Sequence, residues 1–122
     1  MKHIILAGDS IFDNSAYISN IEPDVAAQVK STMGKNDKVT LLAVDGDVTS
    51  GVKRQLEKLP EDATHLIISV GGNDALGVLH ALTEPANNIG EGFYKFYDMR
   101  SQFEHKYSSM LNSAMSHGIP TT

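Results

Sequence analysis

The sequence lacks cysteine and tryptophan, and it has no long hydrophobic run. Without cysteine the chain can form no disulfide, no thiolate metal site and no cysteine nucleophile. Its apolar runs, such as residues 4–7, are far shorter than the roughly 20 residues that cross a bilayer, so we predict no membrane span. The amino-terminal apolar run is also too short for a signal peptide, which predicts a cytoplasmic protein.

Basic side chains are scarce relative to acidic ones, with 10 against 15 and a formal net charge of -5. This balance argues against nucleic acid or an anionic membrane surface as the main partner. A length of 122 residues fits one domain, covering 1–122, and a hydrophobic fraction of 41% is enough to build a core.

Three short apolar runs alternate with helical patterns along the chain. The runs at 4–7, 39–44 and 66–70 predict buried strands, and helical spacing predicts helices at 23–33, 48–59, 75–82 and 92–117. Continuous apolar strands are typical of a parallel sheet covered on both faces, so we predict an α/β fold. The aromatic and apolar stripe of the last helix, from Phe93 to Ala114, is interpreted as core packing.

Each predicted strand ends in a polar segment that contains glycine. The three segments are Gly8-Asp9-Ser10, Asp45-Gly46-Asp47 and Gly71-Gly72-Asn73-Asp74. Taken singly, each is explained by helix caps and turns. In parallel α/β sheets, however, ligands bind beyond the carboxyl ends of the strands. A serine hydroxyl, the serine and glycine N–H groups and an asparagine amide meeting there would supply a nucleophile and an oxyanion hole for acyl transfer.

These segments, in this order, resemble the SGNH (GDSL-type) hydrolase family over residues 3 to about 120, and the Gly-Gly-Asn-Asp segment is the most specific of them. The resemblance implies a flavodoxin-like three-layer α/β/α sandwich that hydrolyses small carboxylic esters without a cofactor. It implies that Ser10 is the nucleophile and that Ser10, Gly46 and Asn73 form the oxyanion hole. The same resemblance gives supporting roles to Asp9, Gly72 and Asp74.

Members of that family also carry an Asp-x-x-His motif near the carboxyl terminus, which supplies the general base and its orienting acid. This sequence contains no Asp-x-x-His. We therefore expect a C-terminally truncated domain that lacks the last two strands and the final helix. Truncation would expose the edge of the strand at Leu66 to Val70, and such an edge favours pairing with a second copy or a companion chain.

Two alternative functions follow from the same residues. The chain could be a catalytically incomplete, hydrolase-like binding module that needs a second chain. It could also be a receiver-like signalling domain that binds Mg²⁺ through aspartates near the strand ends. Those aspartates are Asp9, Asp13, Asp45, Asp47 and Asp74. We favour caps and turns for them, and predict no metal site.

Overall fold

A computed structural model describes all 122 residues as a parallel sheet with helices around it. The strands are β1 (His3–Gly8), β2 (Lys38–Leu41) and β3 (His65–Ser69), and the helices are α1 (Val25–Ser31), α2 (Val52–Leu56), α3 (Gly72–Gly77) and α4 (Ile89–Met115). Three 3-10 turns cover Ser15–Tyr17, Thr49–Gly51 and Leu79–Thr83. No helix combines the length and the apolar character that a membrane crossing requires.

The sheet order is β2-β1-β3, and both strand pairs are parallel. The crossovers from β1 to β2 and from β2 to β3 run in opposite directions across the sheet. Since such crossovers are right-handed, α1 and α2 lie on opposite faces. The predicted three-layer α/β/α arrangement is therefore confirmed. The first strand in sequence is the central one, so its carboxyl end lies between those of its neighbours.

The hydrophobic core lies between the sheet and the pair of helices α2 and α4. Side chains alternate across a strand, so Ile5 and Ala7 of β1 point to the same face. The buried cluster on that face consists of Ile5, Ala7, Val52, Leu56, Leu66, Met110 and Ala114. This packing fixes α2, which follows the second strand-end loop, against the central strand.

The first half of α4 does not pack into the core. The predicted core role of the whole stripe is therefore wrong for this half: Phe93, Phe96 and Tyr97 are 70%, 44% and 60% exposed, whereas Met110 and Ala114 are buried. The physical reason is length. The 27 residues of α4 span about 40 Å, whereas the six of β1 span about 20 Å, so half of the helix extends past the sheet.

The edge of β3 is partly occupied by the last residues of the chain. The Leu66 N–H donates to the Pro120 carbonyl at 2.9 Å, and the Ile68 N–H donates to the Thr122 carbonyl at 2.8 Å. The Thr122 N–H returns a 2.9 Å bond to the Leu66 carbonyl. The expectation of a fully open edge is therefore wrong for Leu66 to Ile68, because residues 120–122 pair there in a parallel direction.

A buried histidine joins the strands at their amino ends. His3 is 4% exposed, and its Nδ1 lies 2.7 Å from a carboxylate oxygen of Asp62 while its Nε2 lies 2.7 Å from the Thr40 hydroxyl. The Lys38 ammonium also contacts Asp62, at 2.6 Å. These bonds tie β1, β2 and the turn before β3 together. They also place His3 at the end of the sheet opposite to the strand-end loops.

The Asp62 carboxylate is expected to make stability depend on pH. Hydrogen bonds from Lys38 and then from His3 hold the pKa of Asp62 below its usual range. A depressed pKa contributes stability above the unfolded-state value of about 3.9, and this is lost as the pH falls through the lower folded-state value. Asp62→Asn should therefore lose less Tm than the wild type between about pH 6 and pH 3.

Thermal unfolding followed by circular dichroism measures this difference. Glu61→Gln is the matched control, because the Glu61 carboxylate has neither a hydrogen bond nor an ion pair. The control should keep the acid sensitivity of the wild type. An Asp62→Asn protein that loses as much Tm as the wild type would contradict the assignment.

Candidate active site

A close approach of two backbones creates the turn that carries Ser10. Gly8 ends β1 with φ +127°, and a Cβ at this position would lie 1.8 Å from the Ser69 carbonyl oxygen of β3. Only glycine fits there. The next N–H, of Asp9, donates to the same Ser69 oxygen at 3.0 Å. The chain then leaves the sheet, and Ser10 lies at its carboxyl end, half-buried.

The first loop leaves one backbone N–H without a partner. The N–H groups of Phe12 and Asp13 donate to the Asp9 carbonyl at 3.1 and 3.0 Å, and the Ile11 N–H donates to the buried Asp9 carboxylate at 3.1 Å. Within residues 9–13, only the N–H of Ser10 makes no hydrogen bond. The Ser10 hydroxyl makes none either. One residue thus presents a free donor and a free hydroxyl.

The second loop is a tight turn centred on Gly46. The Asp47 N–H donates to the Val44 carbonyl at 3.0 Å, and Gly46 has φ +82°. This is the third position of a type II turn, which requires a positive φ and therefore favours glycine. No atom lies within 4 Å of a Cβ built at Gly46. Backbone conformation, rather than crowding, selects glycine here.

The second loop also leaves a single N–H free. The Val44 N–H donates to the Gly8 carbonyl at 3.1 Å, and the Asp45 N–H donates to the Asp13 carboxylate at 2.8 Å. The N–H of Gly46 makes no hydrogen bond, in contrast to its neighbours on both sides. The first two loops are therefore joined to each other, and each presents one unpaired backbone donor.

The third loop is hydrogen-bonded to the second. The Asn73 side-chain amide donates to the Asp47 carbonyl at 2.9 Å, and its second amide proton has no partner. Asp74 accepts from both the N–H and the hydroxyl of Thr49, each at 2.8 Å. Gly72 begins α3, and no atom lies within 4 Å of a Cβ built at this position. The Asn73 amide thus lies against the residue that follows Gly46 and keeps one donor free.

Gln55 is a site-supporting residue that sequence reasoning missed. Its side chain is buried, and its amide oxygen accepts from the Gly8 N–H at 2.8 Å. Its amide nitrogen donates to the Gly8 carbonyl at 2.8 Å and to the Asp47 carboxylate at 2.7 Å. The sequence did contain one indication of this burial. Gln55 follows the core residue Val52 by three positions, so the two side chains lie on the same face of the helix.

Tyr17 is a second residue that the sequence did not reveal. Its hydroxyl lies 2.8 and 2.9 Å from the two carboxylate oxygens of Asp45, and it donates to that group. This hydrogen bond, followed by the negative charge of Asp45, raises the pKa of the Tyr17 phenol above its ordinary value. A tyrosine seven residues after a serine forms no familiar motif, so only the folded structure reveals the pairing.

The aspartates near the strand ends accept hydrogen bonds from neighbouring protein groups. Asp9 and Asp47 make local turn bonds, to the N–H groups of Ile11 and Val48, as the interpretation as caps and turns requires. Asp13, Asp45 and Asp74 instead accept from residues 25 to 32 positions away, so that interpretation is wrong for them. No group of three or more acidic or histidine side chains is arranged to hold a metal ion. The pairs are Asp9 with Ile11, Asp13 with Asp45, Asp45 with Tyr17, Asp47 with Val48 and Gln55, and Asp74 with Thr49.

A cavity of about 520 Å³ lies between α3 and α4 and adjoins this region. Asn73 and Asp74 contribute to its wall, together with Phe103, Arg100 and Lys106 from α4. Neither Ser10 nor Gly46 lines it. This cavity therefore adjoins the predicted site residues Asn73 and Asp74 without including the position of the predicted nucleophile.

No histidine hydrogen-bonds to Ser10. His3 is held by Asp62 and Thr40, His65 contacts the Thr64 hydroxyl, and His80 pairs with Glu84 at 3.3 Å. The structure thus brings the predicted donors onto hydrogen-bonded loops but gives the serine no base.

Comparison with known proteins supports the fold assignment. No protein-family model and no curated protein matches this sequence. Among solved structures, the psychrotrophic esterase EstA from Pseudoalteromonas sp. is 13% identical with a TM-score of 0.65, and all of this chain covers 58% of it. TesA is 20% identical with a TM-score of 0.66, and 98% of this chain covers 58% of it.

AlinE4, an SGNH-hydrolase family esterase, is 18% identical with a TM-score of 0.53, and 99% of this chain covers 75% of it. The chain thus spans little more than half the length of EstA and TesA. At these identities the likeness concerns the fold. The chain has the fold of the SGNH-hydrolase esterases.

Proposed function

We propose that this chain carries the nucleophile and the oxyanion hole of a serine ester hydrolase. The Ser10 oxygen attacks the ester carbonyl carbon, and the carbonyl oxygen becomes an oxyanion that accepts hydrogen bonds from the N–H groups of Ser10 and Gly46 and from the Asn73 amide. The alcohol leaves with a proton, forming an acyl-serine. Water then releases the carboxylic acid and restores the serine.

The pattern of unpaired donors carries this proposal. In each of the first two loops one N–H lacks a partner, and these are the N–H groups of Ser10 and Gly46. The third candidate donor, the Asn73 amide, also keeps one free proton beside the second loop. A β-turn pairs only the N–H of its fourth residue, so turn geometry by itself also leaves the Gly46 N–H free. The support for the proposal is that these free donors lie on loops that hydrogen-bond to one another beside Ser10. An oxyanion hole needs preorganised donors that no protein group occupies.

The general base is the part that these residues do not supply. A serine hydroxyl is a weak nucleophile unless a neighbouring base accepts its proton, and no histidine hydrogen-bonds to Ser10. We therefore expect little ester turnover from the 122 residues alone. A base added from solution should partly replace the missing general base, because the Ser10 hydroxyl makes no hydrogen bond to another side chain.

Labelling by a fluorophosphonate tests the proposal. The serine oxygen forms a bond to phosphorus, fluoride leaves, and the hydroxyl proton goes to the base. We expect slow labelling at Ser10 that accelerates about tenfold with imidazole, which is a fraction of the roughly 10²–10⁴ that a positioned base contributes. Mass spectrometry of the modified peptide measures the rate and identifies the site.

Two variants make this test specific. Ser10→Ala should abolish labelling, whereas Ser108→Ala, on the exposed surface of α4, should label like the wild type. Absence of labelling at Ser10 both with and without imidazole would refute the proposed nucleophile.

A hydrolase-like binding module is the second candidate function, favoured by the missing contact between Ser10 and a histidine. A module of this kind would bind esters without forming an acyl-serine. It predicts that imidazole has no effect on Ser10, whereas the hydrolase proposal requires an acceleration.

A further inference from the structure

The chain segment after the nucleophile also holds the second loop in place. The Asp13 carboxylate accepts from the Asp45 N–H at 2.8 Å, and the Tyr17 hydroxyl donates to both oxygens of the Asp45 carboxylate at 2.8 and 2.9 Å. Asp45 is the residue directly before Gly46. Its backbone and its side chain are therefore both bound to the segment that begins at Ser10.

The atoms of Gly46 make no hydrogen bond of their own, and only the turn bond from the Asp47 N–H to the Val44 carbonyl spans this residue. It is exposed, no atom lies within 4 Å of its Cβ position, and its N–H makes no hydrogen bond. The direction of this N–H depends on the peptide plane that it shares with Asp45. Bonds on both the backbone N–H and the side chain of Asp45 restrain the residue that supplies the carbonyl half of that plane.

The holding segment is itself anchored at two points. Its start is fixed by the N–H of Asp9 on the Ser69 carbonyl, and the Asn14 side chain accepts from the Val25 N–H at 3.0 Å. Asp13 and Tyr17 lie on either side of Asn14. They can therefore hold Asp45, in the exposed half of the second loop, in a fixed position, while Asn73 and Gln55 hold Asp47 on the other side of Gly46.

An oxyanion hole works only if its donors meet the same oxygen, at about 2.7–3.1 Å. We propose that Asp13 and Tyr17 are positioning residues, which hold the Gly46 N–H in the orientation that complements the Ser10 N–H. The inference rests on the proposed function. It adds a specific role for two residues whose side chains hydrogen-bond to Asp45 and not to Ser10.

The rate of Ser10 labelling by the fluorophosphonate, with imidazole present, tests this inference. Losing one oxyanion donor entirely costs about 10²–10³ in rate, and a misdirected donor should lose part of that. We expect Tyr17→Phe to lower the maximal labelling rate about fivefold and Asp13→Ala about tenfold. The probe concentration at half-maximal rate should stay unchanged, because the donors act on the transition state rather than on probe binding.

Three controls separate positioning from a general structural effect. Asp13→Asn keeps an oxygen that can accept from the Asp45 N–H, so it should recover most of the rate that Asp13→Ala loses. Tyr94→Phe removes an equivalent hydroxyl from the exposed surface of α4 and should label like the wild type. The Tm of Tyr17→Phe should stay within about 3 °C of the wild type, since Tyr17 is 68% exposed.

The labelling results separate the proposed positioning role of Asp13 and Tyr17 from the proposed role of Ser10 as the nucleophile. Failure to label wild-type Ser10 overturns the proposed function and this inference with it. Normal labelling of the wild type, together with unchanged maximal rates in Tyr17→Phe and Asp13→Ala, overturns the positioning role alone. A change confined to the half-maximal probe concentration also overturns it.

Discussion

Replacing Gly8 by alanine is expected to leave the protein largely unfolded. The new Cβ would lie 1.8 Å from the Ser69 carbonyl oxygen and 2.6 Å from its carbon, and both are backbone atoms that cannot rotate away. Relief would require β1 and β3 to separate at the point where the Asp9 N–H bonds to Ser69. We expect a cost of about 4–5 kcal/mol or more, which is exceptional for one methyl group.

Gly71→Ala is the matched control for this substitution. Gly71 has the same φ of +127°, but a Cβ there would lie 3.4 Å from the nearest atom, the Cζ of Phe103. Gly71→Ala should therefore lower the free energy of unfolding only by the cost of the strained backbone, about 1–3 kcal/mol. Urea unfolding gives both free energies. Equal losses in the two variants would contradict the close approach of β1 and β3.

Replacing Gln55 by leucine is expected to destabilise the protein by about 3 kcal/mol. The substitution leaves the Gly8 N–H without its partner, at a cost of about 1–3 kcal/mol. It also removes the bonds from the Gln55 amide to the Gly8 carbonyl and the Asp47 carboxylate, each worth about 0.5–1.5 kcal/mol. Gln55 is 4% exposed, so water cannot replace these partners without opening the core.

Gln102→Leu provides the comparison at an exposed position. Gln102 lies on α4 and makes one surface bond to Asp98, at 2.8 Å. Its replacement should change the unfolding free energy by less than about 0.5 kcal/mol. Thermal unfolding should show a fall of roughly 10–15 °C for Gln55→Leu and almost none for Gln102→Leu. Similar Tm values for the two variants would show that the buried amide is dispensable.

The predictions from sequence were confirmed for features that depend on short stretches of chain, such as the strands and the glycines that end them. Short apolar runs that stop at glycine indicated the three strands, and the alternation of strands and helices indicated their parallel order. Gly46 and Gly71 could be placed at strand ends because positive φ angles there favour glycine. The roles of Ser10, Gly46 and Asn73 in catalysis remain predictions that the labelling experiments test.

Other features could not be predicted because they depend on distant parts of the chain. Gln55 contacts residues 47 positions away, and Tyr17 contacts Asp45 across 28 positions, so neither pairing leaves a local pattern. The stripe of α4 has helical spacing along its whole length. Only the length of the sheet decides that Met110 is covered and Phe93 is not.

The position of β1, first in sequence and central in the sheet, has a consequence for how the protein folds. The bonds that join one site loop to another close long stretches of chain: 32 residues between Asp45 and Asp13, and 26 between Asn73 and Asp47. Closing such loops costs entropy before any contact compensates, which slows folding. These bonds join the loops that follow all three strands, so an intact site requires that the whole sheet has assembled.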